Sequence, residues 1–477
     1  MLKVFKALFD ALHKDGIKFC NWKSHYDVQN QLNGNGDLDL FVPFSNKASF
    51  EAAINPIGFR RFNSYQASHS FIEHYYGLDA NSGKFAHIHV YFKIVTGEHI
   101  SKNYILPLDP FIIANSNYAI DIPTVNESAK ITIFLIRHFL KIGSPFGLLQ
   151  YWRELDKHMS EWRLIDFRGL DTHIPEINLT AGELEKMAEV YISSGLVANF
   201  ILAINFKYKL RRFRRRSFFK HQAYIARNVL TRVTNRIFLK RKKLFSPGRV
   251  VAICGLDGTG KSSLVETLDK HFSIHFCVKR LHLGRPSSSS MSFIIRPFLA
   301  IRTQYFALVG GGVSEARNRL EAKNISIIYA LRSVLLAYDR KVESNRAHNL
   351  SDKGYLVICD RYPGLLSGKM DSPRIPHDLH RGRVYQYCYR VEQHLYHTIR
   401  PAEMLFHLQA PVEVAIERNN NREKVGKETE DELRERFFVN SGATFLAATY
   451  KYVDATASQD KVLNEVMNSI WIEKFEG

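Results

Sequence analysis

The chain has 477 residues, with 66 Lys and Arg against 47 Asp and Glu, a formal charge of +19. That length is too great for one ordinary domain and predicts two or three. Hydrophobic residues make up 45% and aromatics 12%, enough for real cores, which excludes a disordered chain. The charge raises nucleic acid, an anionic membrane or phosphorylated substrates as partners, and only its placement can choose among them.

The five cysteines, Cys20, Cys254, Cys277, Cys359 and Cys388, are scattered and form no C-x-x-C pair. Neither a disulfide framework nor a zinc cluster follows from such spacing, and the expectation is reduced cytosolic thiols. The opening run, Met1 to Gly16, reads as an amphipathic helix rather than a signal peptide, because Asp10 interrupts it and no small-residue cleavage site follows. No run of about 18 uncharged apolar residues occurs. The most apolar candidate, Ser292 to Val313, is broken by Arg296, Pro297 and Arg302. The expectation is a soluble cytoplasmic protein; peripheral attachment at the inner membrane face and a homodimer both stay open.

Residues 1–178 alternate helical and strand patterns and predict an α+β domain. Asp37–Val42 and His87–Phe92 alternate with period two and read as strands, while Ile131–Leu140 and Leu148–Met159 read as helices. Thr180 and Glu183 fit a capping box that opens the next helix and marks a boundary. Asp37 and Asp39, at i and i+2, put two carboxylates on one face of a strand. Such a pair is what a two-metal phosphoryl or nucleotidyl transfer site requires, so both are candidate Mg²⁺ ligands. His87 and His89 have the same spacing and could hold a transition metal.

Residues 179–247 read as a helical, strongly basic linker. Within 205–245 lie 15 Lys and Arg and no acid; without them the chain has 51 bases against 47 acids. Ile225, Val229, Val233 and Ile237 recur at i+4, giving an apolar helix stripe with a basic opposite face. A helix packed between domains, one docked on anionic lipid, and one bound to another polyanion all remain open. Pro247-Gly248 then punctuates the chain.

Residues 248–477 alternate strands and helices, predicting an α/β domain with a parallel sheet covered on both faces. Gly255-Leu-Asp-Gly-Thr-Gly-Lys261-Ser262 is a phosphate-binding loop between an apolar strand and a helix. Gly255, Asp257, Gly258, Thr259, Gly260, Lys261, Ser262 and Ser263 are the expected ATP contacts. Lys261 would reach the β- and γ-phosphates and Ser262 would ligate Mg²⁺. Asp360, at a strand end, can position the same ion, and Arg361 would sit where donor and acceptor phosphates meet. Two features argue against a GTPase switch: no N-K-x-D run occurs, and Asp360-Arg361 directly follows the strand.

The loop's Asp257 makes it resemble that of thymidylate kinases. Four more segments follow in that family's order: Val334 to Asp339-Arg340, Tyr355 to Asp360-Arg361-Tyr362, a basic stretch from Arg418 through Arg422, and Tyr452-Val-Asp-Ala455. The resemblance covers about 230 residues and implies a P-loop nucleoside-monophosphate kinase fold. It implies a lid whose Arg418 and Arg422 supply transition-state charge, with Arg418 also able to stack on adenine. Arg285 and Arg340 resemble positions that hold an acceptor monophosphate; Tyr362, Asp371 and Arg374 join them as candidate acceptor contacts. The run after Tyr362 departs from the family's thymine-reading pattern, which points to an altered acceptor.

The first domain resembles the nucleotidyltransferase fold, with Lys23-Ser24 followed by the D-x-D strand. That family's third carboxylate is matched here by His89. The reading is therefore an ATP- and Mg²⁺-dependent phosphotransferase acting on a dTMP-like nucleotide or a sugar-type small acceptor. A nucleotidyltransferase with a nucleotide-sensing kinase half, and a non-catalytic ATP-binding scaffold, are the alternatives.

Overall fold

The computed structural model describes residues 1–64, 69–118, 122–143, 148, 172–193, 195–237, 241–289, 292–293, 295, 327–378, 380, 382–420 and 429–472. The chain divides into two compact units, Met1–Phe245 and Ser246–Gly477. All of the helix expected over Leu148–Met159 except Leu148 itself, and the lid residue Arg422, lie outside the described residues. So does most of the Ser292–Val313 run. Among the described residues no helix is long and apolar enough to cross a membrane.

The first unit opens with α1 (Lys3–Lys14), whose Phe5, Leu8, Phe9 and Leu12 are buried on one stripe. Its eight-stranded mixed sheet contains β1 (Cys20–Asn21), β2 (Asp37–Phe41), β3 (Arg60–Asn63), β4 (Ile72–Leu78) and β5 (Phe85–Tyr91). Beside a separate hairpin, β6 (Ile94–Thr96) with β7 (Tyr104–Leu106), come β8 (Ser116–Asn117), β9 (Thr124–Val125) and β10 (Lys243–Leu244). The strand order is β10-β3-β4-β5-β2-β1-β9-β8. Strand periodicity sends Leu38, Leu40, Ile88 and Val90 to one face, where they join α1 and α2 (Lys47–Ile54) in a core. The opposite face carries Asp37, Asp39, His87 and His89, in register at Asp37↔His87 and Asp39↔His89. A second core forms around α3 (Glu127–Ile142), with Trp22, Phe41 and Tyr91 packed into it.

Thr180 and Glu183 do form a capping box: the Thr180 amide donates to the Glu183 carboxylate at 3.0 Å, and the Glu183 amide donates back at 3.4 Å. They open α4 (Ala181–Ser193), followed by α5 (Leu196–Lys209) and α6 (Phe218–Ile237). The stretch read as a linker packs largely inside this unit. β10 pairs with β3, Lys207 meets Glu98 at 2.8 Å, and Arg214 donates to the Tyr104 hydroxyl at 3.0 Å. Sequence pattern showed an amphipathic helix but carried no sign that hydrogen bonds over more than a hundred residues would hold its polar side.

In the second unit, β11 (Arg249–Gly255), β12 (Val278–His282), β13 (Leu356–Asp360), β14 (Ala402–Gln409) and β15 (Ala447–Asp454) form a wholly parallel sheet of order β12-β13-β11-β14-β15. Helices α7 (Lys261–Ser273), α8 (Ile327–Ser351), α9 (Arg383–His397), α10 (Val412–Asn420), α11 (Glu430–Val439) and α12 (Gln459–Ile472) connect or flank the strands. The chain order reverses at central β11, so a crevice opens beyond the carboxyl ends of β11 and β13.

Arg340 on α8 is fully buried and holds that crevice's floor together. Its guanidinium donates to Leu283 O at 3.1 Å, to Gly284 O at 3.3 Å, to the Tyr396 hydroxyl and to Asp371 at 2.7 Å. Arg340→Leu leaves the Asp371 carboxylate buried without its principal partner, a class of change that costs about 3–5 kcal/mol. A denaturant titration of the full chain should show the second unit's transition moving to lower denaturant while the first unit's stays in place.

Candidate functional site

At the end of β11 the backbone winds through residues 256–260 into α7, which begins at Lys261. Gly258 is needed twice over: its φ is +86°, and a Cβ there would lie 2.7 Å from that of Ala415. The turn aims the unpaired amides at the start of α7 toward one point, where the helix dipole is positive. Lys261 Nζ donates to Leu256 O at 2.5 Å and lies 3.5 Å from Asp257. Ser262 Oγ donates to Asp360 at 3.4 Å. With Mg–O distances of about 2.0–2.1 Å, one ion can touch both oxygens, so this pair fits Mg²⁺.

Asp257 is the centre of the web. Arg361 donates to its Oδ1 at 2.6 Å and Arg436 to its Oδ2 at 2.5 Å. Burial pushes the Asp257 carboxyl up, but Lys261, Arg361 and Arg436 outweigh it and hold the group down at about 2. Arg361 has a left-handed backbone, φ +68°, unusual for a residue with a side chain. Its guanidinium also reaches Asp371 at 3.3 Å, so it is stretched between two carboxylates. Gly284 lets it lie there: a Cβ at that position would be 2.3 Å from Arg361 Cδ.

Beside the loop is a cavity of about 300 Å³ lined by Ser263, Thr267, Leu408, Arg418, Ala455 and Val462. Arg418 donates to Ala455 O at 2.7 Å, which fixes it on the cavity wall rather than over the Asp257 web. Gly255, Gly258, Thr259, Gly260, Lys261, Ser262 and Ser263 lie together along this loop, the start of α7 and the cavity.

The expected acceptor contacts fare differently. Arg340 and Tyr362 are fully buried, and the Tyr362 hydroxyl donates to Arg400 O at 2.7 Å, so both hold the scaffold instead of facing a ligand. The motif marks both residues, but burial decides what they do. Asp371 is engaged by Arg340 and Arg361. Arg285 and Arg374 are exposed, and the Arg374 amide donates to buried Glu392 at 3.0 Å. Arg436 was missed. The capping box at Thr429 and Glu432 marks the start of its helix, yet the charged run around it gives no hint which side chain turns toward the loop.

In the first unit, Asp37, Asp39 and His89 each bring a ligand atom within 4.8 Å of the others. Lys23 Nζ sits 2.6 Å from Asp39, and His89 Nδ1 lies 3.2 Å from Asp39 and 3.5 Å from Asp37. Burial pushes the Asp39 carboxyl up, but Lys23 and His89 bring it down to about 2. The hydrogen bond from His89 leads the causes that hold Asp37 low. The Lys23 ammonium and the His89 imidazole, whose basicity burial lowers but Tyr91 and the two aspartates raise beyond its ordinary value, thus engage the pair from within, and an imidazole replaces an oxygen ligand. That arrangement does not fit two oxygen-bound Mg²⁺ ions. His74, His87 and His89 lie ring to ring, with His74 and His89 stacked at 4.3 Å. Lys102 donates to the Tyr91 hydroxyl at 3.0 Å and Lys242 to the Tyr76 hydroxyl at 2.7 Å, so further cations surround this face.

No protein-family model matches the sequence. The chain is 24% identical over 232 residues to YghR of Escherichia coli K12, described as an uncharacterized ATP-binding protein; the match spans 47% of this chain and 88% of YghR. It is 30% identical over 125 residues to YghS of the same organism, also described as an uncharacterized ATP-binding protein, spanning 25% of this chain and 49% of YghS. Among solved structures, the thymidylate kinase of Candida albicans aligns at 17% identity with a TM-score of 0.27, over 47% of this chain and 91% of that one.

The depressed Asp257 has a pH consequence. Its folded pKa, about 2, lies below the ordinary carboxyl value of 3.8, so its contribution to stability is full above that value. The contribution is lost as pH falls through 2 and amounts to roughly 1–2 kcal/mol after allowance for partial exposure. Asp257→Asn should therefore lower the second unit's denaturation midpoint by a constant amount between pH 5 and 7. That gap should close as acid titrates the wild-type group.

Proposed function

We propose that the second unit is an ATP-dependent phosphotransferase that moves the γ-phosphoryl of ATP to a small acceptor, a nucleoside monophosphate or a sugar-type compound. The observation that carries this reading is the convergence of Lys261, Arg361 and Arg436 on Asp257, beside the Ser262–Asp360 pair. The ATP-binding description of YghR and YghS supports the choice of nucleotide.

Phosphoryl transfer needs positioning and positive charge more than covalent help. The amides of the loop and the start of α7 receive the phosphates, and Lys261 leaves Leu256 O for the β- and γ-oxygens. When bound between Ser262 and Asp360, Mg²⁺ supplies charge neutralisation to the phosphate tail. Arg361 and Arg436 are held by a carboxylate rather than by solvent, so an incoming phosphate exchanges one anionic partner for another. Both guanidiniums then lie where the transferring group gathers negative charge. Arg418 frames the cavity suited to the base of ATP. Arg361, stretched toward Asp371, faces the acceptor side of the crevice.

The first unit reads as a ligand-binding domain for a small anion rather than a two-metal nucleotidyltransferase, because Lys23 and His89 already occupy its carboxylates. The cations on the same face, Lys102 and Lys242 among them, suit an anionic ligand.

The test is an acceptor screen with γ-labelled ATP over nucleotides, sugars and sugar phosphates, scored also for pyrophosphate. The expected result is label on one acceptor class, a loss of at least about a hundredfold in Lys261→Ala, and no pyrophosphate beyond that of Asp37→Asn. Equal labelling by Lys261→Ala would reject the kinase reading. ATP binding with no acceptor labelled would point to a nucleotide-gated scaffold, and pyrophosphate that vanishes in Asp37→Asn to a nucleotidyltransferase.

A further inference from the structure

Helix α6 is turned inside out with respect to an ordinary surface helix. Its only buried residues are the polar His221 and Asn228. Its apolar residues face outward: Phe219 is 84% exposed, Leu230 65%, Val233 50% and Ile237 68%, with Phe218 and Val229 beside them. At 100° per residue these six fall within about one third of the helix circumference. A stray exposed leucine needs no explanation, but a contiguous apolar stripe on a helix does.

Specific bonds on the opposite side hold the helix in this orientation. His221 Nε2 lies 3.6 Å from Glu98, Asn228 Nδ2 donates to Ile100 O at 3.4 Å, and the Arg232 guanidinium lies 3.3 Å from His99 Nδ1. All three anchor points belong to the loop between β6 and β7. Rolling the apolar stripe inward would break them and bury an arginine, so the outward stripe is fixed by the fold.

Charge identifies what covers the stripe. Lys220, Arg227 and Arg236 on α6 are exposed, as are Arg211, Arg212 and Arg241 near its ends, and residues 205–245 contain no acid. Arg236 borders the stripe on one side, with Arg227 and Lys220 across from it. An apolar stripe rimmed by cations, on a helix lying flat against its own domain, matches the interface of an anionic bilayer. There the apolar side chains enter the acyl boundary and the cations stay among headgroup phosphates. A second copy of the chain would bring these cations against their own like across a two-fold axis. Nucleic acid could stack a base on Phe219 and pair with the cations, but it would leave the aliphatic Leu230, Val233 and Ile237 without an apolar partner.

We propose that α6 is a lipid-docking helix that seats the first unit on an anionic phospholipid surface. This inference does not depend on the second unit's activity.

The test is co-sedimentation of the full chain with vesicles of phosphatidylcholine alone or with about 30 mol% phosphatidylglycerol. The account expects partition onto the anionic vesicles, little onto the neutral ones, and weakening with salt. Leu230→Asp with Val233→Asp should reduce partition at least about tenfold. Arg227→Glu with Lys220→Glu should reduce it and flatten its salt dependence. Because all four positions are exposed, circular dichroism and ATP binding should match wild type, which separates lost docking from lost folding. Equal sedimentation of the Leu230→Asp/Val233→Asp variant, or no partition of the folded wild type onto anionic vesicles, overturns the proposal. So does a dimer in light scattering that the same variant abolishes, since that result assigns the stripe to a second copy.

Discussion

One carboxylate organises the second unit. Asp257 lies in the phosphate loop and holds Arg361 at 2.6 Å, Arg436 at 2.5 Å and Lys261 at 3.5 Å. Three cations brought so close repel one another by energies on the order of a few kcal/mol. Without an anion the crevice would have to open or bind water and salt. With Asp257 in place the cations are aimed and partly desolvated in the unliganded chain, and the proposed phosphoryl transfer rests on that preorganisation. The parallel sheet makes this feasible, because β11 and β13 deliver Asp257 and Arg361 from adjacent carboxyl ends.

The first unit uses the same device to a different end. There Lys23 and His89 close on Asp39, and the D-x-D pair is engaged from within by an ammonium and an imidazole. In both units a carboxylate is matched by side-chain cations, but the geometry differs in what it leaves free. Around Asp257 three cations meet one carboxylate. Around Asp39 the balance is nearer to closed, and further cations such as Lys102 and Lys242 bond to tyrosine hydroxyls.

Much of the second unit was legible because its signals are local. Strand, glycine turn and helix follow in sequence at Gly255–Ser262, and the β11 and β13 motifs carry their own residues to the site. The parallel sheet and the Ser262–Asp360 proximity could be expected on that basis. Burial was not legible. Arg340 and Tyr362 belong to recognisable motifs, yet whether they face a ligand or the core depends on Tyr396, Asp371 and Arg400, which lie far along the chain. Arg436 illustrates the converse, a residue in an unremarkable charged helix carried to the loop by packing. The basic stretch was read correctly as an amphipathic helix, but its outward apolar face follows from bonds to residues 98–100 that no periodicity encodes.

The Asp257 web is proposed to build one nucleotide site per chain. Isothermal titration of ATP with Mg²⁺ into the full chain measures it directly. The account predicts a stoichiometry of one and an affinity reduced at least about tenfold by Lys261→Ala. Two equivalent sites per chain, or an affinity that Lys261→Ala leaves unchanged, would contradict it.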